Sequence, residues 1–264
     1  MHIRLTGRRA VVSGSTAGIG FAIAKGLATA AASVVINGRS EARVAEAVAR
    51  LKAEVAGAEV QGIAADLATA EGAQEFIAQV PEADILVNNL GIFEPKPFFE
   101  IADDDWERFF RINVMSGIRL CRHYAQGMAG RGWGRIVFIS SESGVNIPVE
   151  MVHYGMTKTA QIAVSRGLAE TVGGTGVTVN SVLPGPTRSE GVGTFIAQLA
   201  GDSGKSQAEV EADFIRTHRP TSLIGRLADV DEVANMVVYV CSEQASATTG
   251  AALRVEGGLL RGIL

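Results

Sequence analysis

The chain has 264 residues, enough for one sizeable α/β core, and 47% hydrophobic against 20% charged residues exclude a disordered chain. The formal net charge is −4 with no long Lys/Arg block, so no nucleic-acid partner is expected. Cys121 and Cys241 form neither a close pair nor a zinc-like cluster, the histidines are scattered, and no apolar run has the roughly 20 residues of a membrane span. Reduced thiols, no bound metal, no membrane partner and, with no signal-like opening stretch, a cytoplasmic location are the expectations.

Short apolar runs alternate with helix-length segments. Residues 9–12 predict a strand that runs into Ser13-Gly14-Ser15-Thr16-Ala17-Gly18-Ile19-Gly20, followed by a helix over 19–31. A strand over 33–36 ends at Asn37-Gly38-Arg39-Ser40. Val44, Val48, Leu51 and Val55 recur at three- and four-residue steps and predict a helix over 41–56. A strand over 59–64 leads to Asp66-Leu67, and a helix covers 71–79. Contiguous Ile85, Leu86 and Val87 predict a strand over 84–88, which exits through Asn88-Asn89-Leu90-Gly91. Residues 104–129 read as one long helix or two joined ones. A strand over 135–139, a helix over 151–172, a strand over 175–181, a helix over 231–242 and a closing strand over 251–255 complete the order. Strands separated by helices need crossover connections, so the expected fold is a single-domain Rossmann-like α/β doubly wound, mostly parallel sheet across residues 1–264. Residues 185–222 break the rhythm with Pro, Gly, Ser and charge. They are expected to form a loop or lid over a substrate site, a plain surface insertion being the alternative.

Gly14, Gly18 and Gly20 stand between a strand and a helix, where bare backbone and helix-start N–H groups can meet a phosphate. Ser15, Thr16 and Ile19 lie in the same turn and are counted with it. An acidic residue after the second strand would hold the free ribose hydroxyl of NAD. Here the strand ends without one, and Arg39 offers a charge-assisted fork to an added phosphate, with Ser40 as a further donor. NADP(H) is therefore expected over NAD(H). Asp66, with Leu67 beside it, either accepts from an adenine amino group or caps the next turn. Asn89 and Gly91 contact a ribose or form an Asx turn, roles that are compatible.

Tyr154 and Lys158 are four apart in a helical segment and share a face, where an ammonium favours a phenolate. Ser141 follows a strand and is placed to orient a carbonyl. Asn113 lies in a long helical stretch, where a buried amide needs partners. His153 falls off the Tyr–Lys face and is expected in a neighbouring pocket or at the surface. Glu142 either influences substrate charge or points to solvent.

Together these residues resemble the short-chain dehydrogenase/reductase family, in its classical-length branch, over nearly the whole chain. Gly14, Gly18 and Gly20 match its cofactor motif, and Asn113, Ser141, Tyr154 and Lys158 match its active-site tetrad. Pro184-Gly185 matches the nicotinamide-side motif. Leu90 stands where Ala is usual, and Glu256 where Asp is commoner. The resemblance implies hydride transfer between a nicotinamide and a carbonyl or alcohol carbon. It makes Tyr154 the general acid/base and Ser141 the donor to the substrate oxygen. Lys158 binds the nicotinamide ribose and lowers the Tyr154 pKa. Asn113 holds a relay water to Lys158, and Thr187 and Ser189 are carboxamide contacts. It also implies a homotetramer, with a dimer as the alternative. NAD-dependent dehydrogenation, 3-oxoacyl reduction, isomerase or dehydratase chemistry, and a cofactor-binding regulatory role with little turnover stay open as alternatives.

Overall fold

Aliphatic runs buried on both faces form the sheet in a computed structural model of the chain, which describes residues 2–193 and 206–263. In chain order the strands and helices are β1 (Arg9–Val12), α1 (Gly18–Thr29), β2 (Ser33–Gly38), α2 (Glu41–Glu54), β3 (Val60–Ala64), α3 (Ala70–Gln79) and β4 (Ile85–Asn88). Next come α4 (Asp103–Phe110), α5 (Ser116–Arg131), β5 (Gly134–Ile139), α6 (Val152–Thr171), β6 (Val177–Pro184) and the two-residue β7 (Thr187–Arg188). Then follow α7 (Gln207–His218), β8 (Ala228–Asp229), α8 (Val230–Val240) and β9 (Ala252–Val255).

Seven strands pair in parallel in the order β3-β2-β1-β4-β5-β6-β9, so the expected doubly wound sheet is present. Val12 of β1 faces Ile36 of β2 and Val87 of β4 in register. Alternating side chains feed two cores. Val12, Ile36 and Val87 pack beneath α1, α2 and α8 with Leu27, Leu51 and Val237. Val11, Val35 and Leu86 pack on the other face against α3, α5 and α6 with Phe76, Leu120 and Val172. The order reverses between β1 and β4, and the crevice at such a switch is where open α/β sheets bind ligands.

Two boundaries differ from expectation in ways that matter. The stretch expected as one or two helices is α4 and α5 joined through a π-helical turn, Arg111–Met115, which carries Asn113. Strand β6 runs beyond 181 to Pro184, so the Pro-Gly segment leaves directly from the sheet. Proline is tolerated there because it is the terminal residue. Of the expected loop at 185–222, residues 194–205 lie outside the described residues. The described remainder holds β7 and α7.

The end of β2 is pinned by a buried amide. Asn37 Oδ1 accepts from the Gly14 N–H at 3.3 Å, and Asn37 Nδ2 donates to the carbonyls of Ile63 (3.3 Å) and Ala65 (3.1 Å). One side chain thus ties the glycine turn to β2 and to the exit of β3. Asn37→Ala would strip these bonds and leave buried backbone groups unpaired. It should lower unfolding free energy by about 2–4 kcal/mol, read as a lower denaturant midpoint with unchanged slope.

Candidate active site

The carboxyl ends of β1, β4, β5 and β6 open into a cavity of about 450 Å³. Its lining includes Ile19, Asn89, Gly91, Ser141, Tyr154, Lys158, Pro184, Gly185, Thr187 and Ser189, which the sequence reading had singled out from segments far apart in the chain. A larger depression of about 750 Å³ lies at the opposite, amino-terminal edge, lined by Arg8, Arg9, Asp84 and Arg131. None of the expected site residues reaches it.

The glycine turn is shaped by close approach. A Cβ at Gly20 would lie 2.4 Å from Asn89 Nδ2 and 2.5 Å from the Gly14 carbonyl oxygen. Gly14 has φ +60°, a left-handed conformation that favours glycine. Asn89 Nδ2 donates to the carbonyls of Ser13 (3.0 Å) and Gly14 (2.8 Å), while Ser13 Oγ accepts from the N–H groups of Asn89 and Leu90. Ser13 therefore uses its hydroxyl to bind β1 to the exit of β4. Leu90 packs partly buried against the second core, with its Cα 3.1 Å from where a Gly14 Cβ would sit.

Other expected cofactor contacts divide. Thr16 meets Gly38 at the end of β2: a Gly38 Cβ would be 2.6 Å from Thr16 Cγ2. Arg39 is exposed beyond it. Ser40 Oγ caps α2 by accepting from the Arg43 N–H at 3.5 Å, leaving its own proton free. Ser15 is fully buried; its hydroxyl donates to Val12 O and accepts from Asn37 N, so its side chain serves the turn and faces no ligand. Asp66 Oδ1 accepts from Ala68 N at 3.1 Å, the turn-capping role, and the Leu67 side chain is in the core. Ser189 reaches over Gly18, 3.3 Å from its Cβ position, and Thr187 is buried with its hydroxyl on Gly185 O at 2.9 Å. The turn thus offers a cradle of bare backbone at a helix start, which fits a dinucleotide phosphate. Gly91 continues that cradle, for a Cβ there would face Lys158 Nζ and Asn113 Oδ1 at 3.5 Å each.

Ser141 follows β5. Its Oγ accepts from the Ser143 N–H at 3.1 Å, and its hydroxyl also acts on the Tyr154 phenol. Tyr154 and Lys158 project from α6 into the same cavity, with Lys158 Nζ 5.5 Å from the centre of the tyrosine ring. Phe93 stands edge-on to that ring at 6.4 Å. Burial pushes the Tyr154 phenol up to about 12, against the lowering effect of Ser141. Burial pushes the Lys158 ammonium down to about 7. The ammonium donates to Ile139 O (2.9 Å) and Gln161 Oε1 (3.1 Å).

Asn113 is buried and fully engaged. Its Oδ1 accepts from Ile92 N (2.8 Å), and its Nδ2 donates to Ile92 O and Thr157 Oγ1, both at 3.0 Å. Its main-chain carbonyl accepts from Gln161 Nε2 at 2.6 Å. Gln161 carried no mark in the sequence reading, although it lies on the Tyr154–Lys158 face at three residues beyond Lys158.

Two further side chains lie deeper than a surface reading allows. Glu142 lines the cavity, in keeping with the substrate-side alternative, and does not point to solvent. It is 4% exposed, and Arg219, just after α7, donates Nε to its Oε1 at 3.0 Å and Nη1 to Glu150 at 3.4 Å. His153 is neither at the surface nor in a pocket but fully buried, its ring 4.0 Å from Phe109 and 6.0 Å from Trp106, with no partner on either nitrogen. Among the described residues no three His, Cys, Asp or Glu side chains converge as a metal site, and no helix is long and apolar enough to cross a membrane.

A family model described as enoyl-(acyl carrier protein) reductase matches residues 14–260. An uncharacterized oxidoreductase of Bacillus subtilis, YvaG, is 48% identical over the full length of both chains. The 3-oxoacyl-[acyl-carrier-protein] reductase FabG of Aquifex aeolicus is 34% identical, covering 98% of this chain and all of the relative. The structure of L-sorbose reductase from Gluconobacter frateurii, complexed with NADPH and L-sorbose, superposes with a TM-score of 0.94 at 33% identity over all of both chains. With the glycine turn, the Ser–Tyr–Lys cavity and this full-length similarity, the chain belongs to the short-chain dehydrogenase/reductase family of nicotinamide-dependent oxidoreductases.

Proposed function

We propose that the cavity interconverts a carbonyl and a secondary alcohol with NADP(H), using Tyr154 as general acid/base. The observation that carries this reading is the convergence of Ser141, Tyr154 and buried Lys158 beside the glycine cradle. When bound, the cofactor supplies hydride in reduction and accepts it in oxidation. Gly14, Thr16, Gly18, Ile19, Gly20, Asn89 and Gly91 would hold its phosphate and ribose portions, with Pro184, Gly185, Thr187 and Ser189 on the nicotinamide side. Ser141 donates its O–H to the substrate oxygen when substrate is bound and stabilises charge that develops there. Tyr154 passes its proton to that oxygen in reduction and takes it back in oxidation. A phenolate is costly in this buried setting, and Lys158, with its Nζ 5.5 Å from the ring centre on the same helix face, is the cation placed to offset it.

Preference for NADP(H) rests on exposed Arg39 and the absence of a carboxylate at Gly38. The sorbose reductase solved with NADPH supports it. The described parts of the 185–222 segment, residues 185–193 and 206–222, are proposed as the cover of the site, since Val192, Phe214, His218 and Arg219 line the cavity. A homotetramer in the cytoplasm completes the reading. Exposed Phe99 and Phe110 at either side of α4 leave apolar surface for assembly, and both cysteines are buried and unpaired.

Neutral ketoses, 3-oxoacyl thioesters and enoyl thioesters, each mixed with NADPH, form the decisive screen. Oxidation of NADPH with product identified as the alcohol supports carbonyl reduction, and a saturated thioester as sole product overturns it. Against the best carbonyl substrate, Tyr154→Phe should lower turnover about 100-fold or more while NADPH affinity changes little. Arg39→Ala should weaken NADPH binding more than NADH binding in direct titrations, and added salt should narrow the wild-type preference. Equal wild-type affinity for both cofactors would defeat that assignment. Light scattering after size separation should report a particle of four chains.

A further inference from the structure

The least expected side chain at the reacting centre is Gln161, 2% exposed on α6. Its Nε2 donates to the Asn113 carbonyl at 2.6 Å, and its Oε1 accepts from Lys158 Nζ at 3.1 Å. The amide thus spans the space between the ammonium and the π-turn. With Ile139 O at 2.9 Å it occupies two of the three ammonium protons and leaves the third for the cavity side, where Gly91 and Tyr154 lie. Asn113, which receives the other end of the bridge, is itself clamped by Ile92 and Thr157. A primary amide orients charge well but conducts protons poorly. Its oxygen has no proton to release, and its N–H is far too weak an acid to refill a neighbour.

We propose that Gln161 is a positioning residue: its amide, braced on the Asn113 carbonyl, fixes the Lys158 ammonium so that its remaining proton faces the Tyr154 side of the cavity. This rests on the assignment of Tyr154 and Lys158 to the reaction. The titratable groups around the pair are few. Tyr154 shares the helix with Lys158, while Glu142 after β5 and Arg219 after α7 act on Tyr154 from outside it.

The test compares wild type with Gln161→Met, which removes both bonds at similar length, and Gln161→Glu, which keeps the shape and adds charge. Lysines labelled with ¹³C at Cε report the ionisation of Lys158 by NMR, its signal assigned with Lys158→Met. In Gln161→Met the ammonium loses an acceptor, so its midpoint should fall by about one pH unit. The rising limb of alcohol oxidation against pH should move upward, because the Tyr154 base is then less well stabilised. In the best substrate kcat should fall about tenfold with KM nearly unchanged. Gln161→Glu should raise the Lys158 midpoint instead. An unchanged Lys158 midpoint in folded Gln161→Met, or an unshifted pH profile despite lost turnover, overturns the proposal. If Gln161→Met does not fold, a Gln161→Glu midpoint at or below wild type overturns it. The NMR arm needs no substrate, so a wild type inactive on every carbonyl would refute the functional reading without deciding the Lys158–Gln161 coupling.

Discussion

The turn after β1 comes so near Asn89 that one added carbon at Gly20 would fall inside contact distance of both the amide and the Gly14 carbonyl. That closeness makes demands on the surrounding sheet. Asn37 must hold the turn from β2, Ser13 and Asn89 must hold it from β4, and both sets of bonds are buried side chain to main chain. A cradle of backbone N–H groups is useful only when it keeps its shape before a ligand arrives, since ordering it on binding would consume affinity. Polar side chains at strand ends supply that rigidity here, and the parallel sheet puts them all on one edge.

The Tyr154–Lys158 pair is governed by burial more than by charge. Removing water disfavours the phenolate of Tyr154 and the ammonium of Lys158 alike, moving the two groups toward neutrality from opposite directions. Carbonyl oxygens from Ile139 and Gln161 oppose the effect on the lysine by accepting from its charged form. No carboxylate is needed for this, so the site keeps a positive group near Tyr154 without a nearby anion that would raise the tyrosine further. Glu142 is the exception, adjacent in sequence to Ser141, and Arg219 offsets its charge from the segment after α7.

Local pattern carried most of the architecture. Periodic apolar positions located nearly every strand and helix, because each buries a face whose spacing is written in neighbouring residues. Gly14, Gly18 and Gly20 were legible for a related reason, because turn chemistry is local, whereas the four-residue step of Tyr154 and Lys158 is common on helices and only the resemblance singled them out together with Ser141. The π-turn at Asn113 was not, since it depends on how α4 and α5 meet α6 and leaves no repeat of its own. The Glu142–Arg219 pair joins residues 77 apart and has no spacing to betray it. Ser15 and Leu67 show the converse limit, for adjacency to a motif placed them with the cofactor while packing turned their side chains inward. Gln161 stood at a readable helical step, but a glutamine there looks the same on a wet surface as in a closed one.

His153 carries a consequence of another kind. Held between Phe109 and Trp106 with neither ring nitrogen bonded, its imidazole is pushed by burial below the ordinary 6.5. The unfolded chain therefore takes up this proton more readily than the folded one. Well above pH 6.5 neither state is charged at this residue and nothing is lost. As acid takes the solution below that value, the unfolded state alone gains the proton, and stability declines until the depressed folded value is reached. The aromatic contacts around His153, on the helix that carries Tyr154, are thus a proton-linked weak point that makes the fold less tolerant of acid.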